Sequence, residues 1–117
     1  MYYIYILRSE KVDKFYVGTT DNPNQRLLEH NNSERSTFTA KYRPWIMEAL
    51  FECSEQLGNA RRVERYIKKQ KSSAFIRKMI ENSNLHGILA QLVRVPNSYA
   101  PGINQRVGEK IKKQNPP

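Results

Sequence analysis

The first stretch of the chain, YYIYIL, alternates its faces: Tyr3, Tyr5 and Leu7 on one side, Tyr2, Ile4 and Ile6 on the other. Tyrosine and isoleucine favour extended backbone, so this is a predicted strand. A polar stretch from Ser9 to Lys14 follows. FYVG then predicts a second strand, with Tyr16 and Gly18 on one side and Phe15 and Val17 on the other. A connection this short makes the pair an antiparallel hairpin. Beyond Thr19, Thr20 and Asp21 a helix begins, with Asn22 suited to the N-cap, Pro23 to the first helical position and Gln25 to the third. Arg26 and His30 are four apart and project from one face of that helix, while Leu27 and Leu28 are free to face a core.

The polar run NNSERSTFTAKYRP reads as a loop, with Pro44 holding Arg43 away from helical backbone. Thr37, Thr39, Lys41 and Arg43 are the groups here that could meet phosphates; a solvated loop is the plainer reading. WIMEALFE predicts a third strand with Trp45, Met47, Ala49 and Phe51 on one face and Ile46 and Leu50 beside Glu48 and Glu52 on the other. A strand with one wholly apolar face belongs in a small sheet covered by helices on that side. Asn59 is a candidate N-cap for a helix bearing Ala60, Val63, Ile67 and Ala74 at helical spacing. Ser72 and Ser73 break this region and cap a second helix with Phe75, Ile76, Met79 and Ile80 as its apolar stripe. LHGILAQLVRVP predicts a helical turn and a short strand; the remainder, rich in Pro, Gly and Asn, reads as a flexible basic tail. The expected fold is a small α/β (α+β) domain, a three-stranded sheet flanked by helices in the order β-β-α-β-α-α.

Charge sharpens this picture. The 117 residues carry a formal net charge of +9. An excess of that size favours polyanions through steering and counterion release. It is concentrated between Leu57 and Asn82, where eight Lys and Arg stand against Glu64 and Glu81. Arg61, Arg65, Lys68, Lys69 and Lys71, with Lys41 from the loop, are the candidate DNA contacts. Glu64 borders the apolar stripe of its helix, and by itself it reads as an ion-pair partner of Arg61 or Lys68. Cys53 is the single cysteine, so neither an internal disulfide nor a cysteine zinc cluster is expected. No apolar run approaches the ~20 residues of a membrane span, the N-terminus does not read as a signal peptide, and the cytoplasm is expected. Asn31-Asn32-Ser33 fits a glycosylation pattern that matters only for a secreted chain. No phosphate-binding glycine loop or internal repeat is found, and no organic cofactor is expected.

The order of these elements, Tyr3-Ile4-Tyr5, Tyr16-Val17-Gly18, Arg26, His30 and then Glu64 on a later helix, resembles the GIY-YIG nuclease family. The first motif has tyrosine where the family has its leading glycine, a variant familiar among small single-domain bacterial members. The resemblance runs from Met1 to about Asn82. It implies a nuclease domain over 1–83 and an extension over 84–117, partly a flexible basic tail. It further implies Mg²⁺ (or Mn²⁺) on Glu64 and catalytic roles for Tyr5, Tyr16, Arg26, His30 and Glu64. In some members an asparagine acts near the position of Asn82 or Asn84. The implied activity is metal-dependent cleavage of DNA, including structure-specific cleavage in repair or recombination. Two alternatives stay open: a non-catalytic nucleic-acid-binding module of the same fold, and a structural or interaction domain whose charge serves ribosomal association.

Overall fold

The computed structural model describes residues 1–34, 37–81 and 85–96. Strands β1 (Tyr2–Ser9) and β2 (Phe15–Thr20) form the expected hairpin and lead into helix α1 (Pro23–Asn32). A 3-10 turn, Thr39–Tyr42, precedes β3 (Trp45–Ser54); helices α2 (Leu57–Lys69) and α3 (Ser73–Glu81) follow. A second 3-10 turn, Gly87–Gln91, leads to β4 (Val93–Arg94). The sheet order is β2-β1-β3-β4, with every neighbouring pair antiparallel. The α+β class and the order β-β-α-β-α-α hold, but the sheet has four strands where three were expected. The turn and short strand expected in LHGILAQLVRVP are both present, and that strand is the fourth of the sheet.

Both faces of the sheet are buried, because β1 is apolar on each. Ile4 and Ile6 join Val17, Ala49, Phe51, Val63, Ile67 and Met79 beneath α2 and α3. Tyr5 and Leu7 join Leu27, Trp45, Met47 and Leu50 on the side of α1. This corrects the single-faced reading of β3. Ile6 pairs with Ala49 but Leu7 pairs with Met47, so Glu48 is an extra residue in the ladder. Such a bulge reverses the side-chain alternation beyond it, sending Trp45 and Met47 to one face and Ala49 and Phe51 to the other. Glu48 itself takes a 2.6 Å bond from Arg8 Nε.

The helix starts are set by local chemistry. Asn22 Oδ1 accepts from the Gln25 amide at 3.3 Å, with Pro23 opening the helix. Leu27 is buried as expected, whereas Leu28 is exposed. Helix α2 begins two residues before Asn59, whose side-chain amide instead bonds Ser54 and Gln91. Ala60, Val63 and Ile67 form its buried stripe, while Ala74 is exposed on α3. Ser72 caps α3 through its 3.1 Å bond from the Phe75 amide. Arg43, expected in a solvated loop, is extended and donates to the carbonyls of His30 and Ser33, both at 2.6 Å. It thereby satisfies orphan acceptors at the end of α1.

The packed unit continues past residue 83. Leu89, Leu92 and Val95 are buried, the Val95 amide bonds the Leu50 carbonyl at 2.8 Å, and Arg94 donates to the carbonyls of Ile80 and Glu48. The tail expected from 97 onward, like Asn82 and Asn84, lies outside the described residues. A chain ending at Leu92 should therefore be less stable than one ending at Pro96 by about 2–4 kcal/mol, the scale of one buried valine with its hydrogen bonds. Denaturant melts of the two truncations compare them directly; equal midpoints would remove β4 from the fold's energetics.

Candidate active site

Tyr5 sits directly across from Gly18 in the hairpin. A Cβ at Gly18 would lie 2.3 Å from the Tyr5 hydroxyl and 2.4 Å from its ring, so glycine is required here for space. Folded over that gap, Tyr5 is 1% exposed, yet it lines a cleft. His30 Nε2 lies 2.8 Å from the Tyr5 oxygen, and Arg26 Nε donates to the same oxygen at 3.3 Å. A guanidinium only donates, and with the imidazole in its Nδ1–H tautomer the phenol donates to Nε2. The ring proton of His30 then sits on Nδ1 and is donated to Thr39 Oγ1 at 3.0 Å. Thr39 is itself buried, 3.2 Å from Thr37 Oγ1, and its carbonyl accepts from Trp45 Nε1 at 2.8 Å.

Burial governs the charges. It pushes the Tyr5 phenol well above its ordinary range, although the hydrogen bond and charge of Arg26 pull the other way. Burial, followed by the Arg26 charge, lowers His30 from 6.5 to about 4. Burial also acts against the Arg26 cation, but hydrogen bonds to Glu29 and Tyr5 more than offset it. Near neutral pH the site thus holds a neutral phenol, a neutral imidazole and a guanidinium. The unfolded chain binds a proton at His30 near pH 6.5 and the folded one only near 4. Stability contributed by this difference is complete above about pH 7 and lost as pH falls through that window. At pH 5 the loss is about 2 kcal/mol. Replacing His30 by Gln should flatten the stability profile between pH 7 and 5, and an unchanged slope would show that His30 does not titrate this way.

Glu64 approaches from α2, around the edge strand β2. Its Oε1 accepts from Thr19 Oγ1 at 2.6 Å, and its Oε2 is 2.7 Å from Lys68 Nζ. Lys68 also stands 5.0 Å from the centroid of the Tyr16 ring. Glu64, Thr19, Arg26, Arg61 and Arg65 close a cleft of about 370 Å³ with Tyr5, Tyr16 and Gly18. A second cleft of about 410 Å³ adjoins it, sharing Tyr16 and Arg26 and bounded by Glu29, His30, Thr37, Phe38 and Thr39.

Residues 1–79 match the GIY-YIG catalytic domain. The chain belongs to the GIY-YIG family. Among curated relatives it is 44% identical over 55 residues to structure-specific endonuclease subunit SLX1 of Chaetomium globosum, covering 43% of this chain and 17% of that protein. The same subunit of Pyrenophora tritici-repentis is 41% identical over 54 residues, covering 42% and 15%. That of Debaryomyces hansenii is 40% identical over 55 residues, covering 42% and 16%. The matched part is therefore about a sixth of each relative's length. These relatives are fungal, so they lend no support to the expected bacterial type.

All five residues singled out in the GIY-YIG motifs, Tyr5, Tyr16, Arg26, His30 and Glu64, border the two adjoining clefts. Of the expected DNA contacts, Arg61 and Arg65 line the first cleft and Lys68 reaches it through Glu64. Lys69 lies on the exposed side of α2, Lys71 just beyond its end, and Lys41 on the first 3-10 turn; none of these lines either cleft. Thr39 is buried under His30, away from the solvated position expected of it. Thr19 was missed, and only its place immediately after Gly18 hinted at it. Cys53 is half-buried, with burial raising its thiol pKa, and borders neither cleft. No helix of the described residues is long and apolar enough to cross a membrane.

Proposed function

We propose that this chain is a cytoplasmic, metal-dependent endonuclease that hydrolyses DNA phosphodiester bonds at structured sites in repair or recombination. One observation carries the reading: the Arg26–Tyr5–His30 hydrogen-bonded set opens on the same cleft as a carboxylate held by Thr19, with Arg61 and Arg65 on its rim. The residues fit a hard divalent cation. Among the described residues no three His, Cys, Asp or Glu cluster, but one carboxylate suffices for Mg²⁺, which keeps most positions for water and phosphate oxygens. Glu64 already holds a cation, the Lys68 ammonium, in a half-exposed pair worth a few tenths of a kcal/mol, which is easily exchanged. Bound at Glu64, such an ion would stabilise the charge on the phosphate and on the departing 3′ oxygen.

The remaining work falls to the chain's own groups. Arg26 grips the scissile phosphate with forked donors. The phosphate's charge then offsets that of Arg26, which removes the lesser of the two main causes that depress the proton affinity of His30 and leaves that of burial. Tyr5, too buried to ionise alone, takes a proton from the attacking water as it passes its own to His30 Nε2. The new P–O bond forms, the bond to the 3′ oxygen breaks, and that oxygen leaves with a proton from solvent. Tyr16 orients the water or the phosphate.

Incubating supercoiled, nicked and branched DNA with purified protein, with and without Mg²⁺, tests the reading; cleavage is expected only with the metal. Tyr5→Phe should lower the rate by about 10²-fold or more. It removes one hydroxyl and leaves His30 Nε2 without its donor, at a stability cost of about 1–3 kcal/mol, so the folded state is confirmed by melting. Wild-type cleavage by folded Tyr5→Phe would sink the proton relay. Salt-sensitive binding with no cleavage of any DNA would point to the non-catalytic module.

A further inference from the structure

A run of aromatic rings leads out of the first cleft to the surface. Ring centroids are 6.3 Å apart for Tyr5 and Tyr16, 6.5 Å for Tyr16 and Phe38, and 5.1 Å for Phe38 and Tyr42, the last pair edge to face. Exposure rises along it, from 1% at Tyr5 to 52% at Phe38. Phe38 belongs to neither core cluster, yet it forms part of the wall of the cleft that holds Arg26 and His30. Lys14 Nζ lies over the Phe38 ring, 5.8 Å from its centroid, and over that of Tyr42 at 5.2 Å, so one face of Phe38 already meets a cation and a base has the other.

A single exposed phenylalanine is ordinary on a protein surface. This one differs by its setting: it is propped by a second ring, accompanied by a lysine and continuous with the guanidinium of Arg26. An apolar ring that shares a cleft with Arg26 and has Lys14 beside it matches one nucleotide of a strand, base on the ring and phosphates on the charges. Bases inside a duplex are already stacked and out of reach, so only an unpaired base can use it. The Glu29 carboxylate in the same wall is already paired with Arg26 at 2.7 Å.

We propose that Phe38, supported by Tyr42, stacks on an unpaired nucleobase of a DNA strand whose backbone runs past Lys14 and Arg26. The preferred substrate class is then DNA with a single-stranded segment beside the point of cleavage. The inference deepens the endonuclease reading and rests on it only for the cleft being a nucleic-acid site.

Binding without metal tests it, so that cleavage plays no part. Two DNAs with equal numbers of phosphates serve as probes: a continuous duplex, and a duplex with a single-stranded extension carrying 2-aminopurine at its first unpaired position. The wild type is expected to favour the extended DNA and to quench the 2-aminopurine. Phe38→Ala should weaken that complex by about 5- to 100-fold and abolish the quench, with duplex affinity unchanged within about twofold. Phe38→Leu, which keeps apolar bulk without a ring, should behave like alanine, and Phe38→Trp like the wild type. Equal wild-type affinity for the two DNAs, or the same change on both in Phe38→Ala, would overturn the proposal. Selective loss in a protein that cuts nothing would retain the stacking site and remove the nuclease reading.

Discussion

Glu64→Ala is expected to lower Mg²⁺-dependent cleavage by about 10³-fold or more, the rate equivalent of several kcal/mol of charge stabilisation at the phosphate. DNA affinity should be unchanged or slightly tighter. The structure separates these effects. Glu64 is held by Thr19 at 2.6 Å and Lys68 at 2.7 Å, and neither contact supports the core. The pair with Lys68 is a partly exposed i,i+4 contact worth about 0.3–0.5 kcal/mol, and the part-buried bond from Thr19 adds about 1–3 kcal/mol, so the variant should remain folded with a modestly lower melting point. Without the carboxylate, Lys68 is free to meet phosphate, which is why binding should not fall. Cleavage rates over a Mg²⁺ titration, with affinity measured in parallel, give the answer. An alanine variant cutting at the wild-type rate would mean that Glu64 is an ordinary helix ion-pair partner.

For Arg26→Ala a loss of about 10²–10³ in the single-turnover rate is expected, by analogy with removing one oxyanion donor. The structural reading of Arg26 predicts something quite different. Its bond to Glu29 spans i to i+3 with both side chains more than 40% exposed, and losing it should change stability by under about 0.5 kcal/mol. Its other bond, 3.3 Å to the Tyr5 oxygen, leaves Tyr5 with His30 as partner when removed. Charge on the phosphate oxygens grows toward the transition state, so the rate should fall far more than the affinity. Arg26→Lys should recover only part, since an ammonium cannot make a forked contact. Saturating enzyme and affinity measured in calcium separate the two quantities. A loss accounted for entirely by weaker binding would make Arg26 one phosphate contact among several.

Tyr5 and Arg26 also show where reading along the chain stops. Their placement on a strand and a first helical turn follows from local rules: alternation, an N-cap and a proline. The family resemblance implied a catalytic role for Tyr5, but alternation along the strand says nothing of what its hydroxyl meets. That hydroxyl lies over Gly18 and against His30, because the bare Cα of Gly18 admits the ring. Only the pairing register, Tyr5 opposite Gly18, brings that about.

Taken alone, the amino-acid order determined the hairpin, the three helices, the caps of the first and the third, the site of the positive charge and the family. Each of these depends on contacts between near neighbours in sequence, or on motifs in a fixed order. The tertiary structure decided the rest. The bulge at Glu48 split β3 between two faces, which a strict period of two cannot represent. The second polar partner of His30 turned out to be Thr39, nine residues away across a polar loop, and that of Glu64 to be Thr19, forty-five residues away. The short strand at Arg94, and Val95 after it, joined the sheet by pairing with β3, a partner about forty residues back that no local pattern names. Burial, and with it the neutral state of the Tyr5–His30 pair, depends on what every other element places above those two rings, and no local run of residues carries that information.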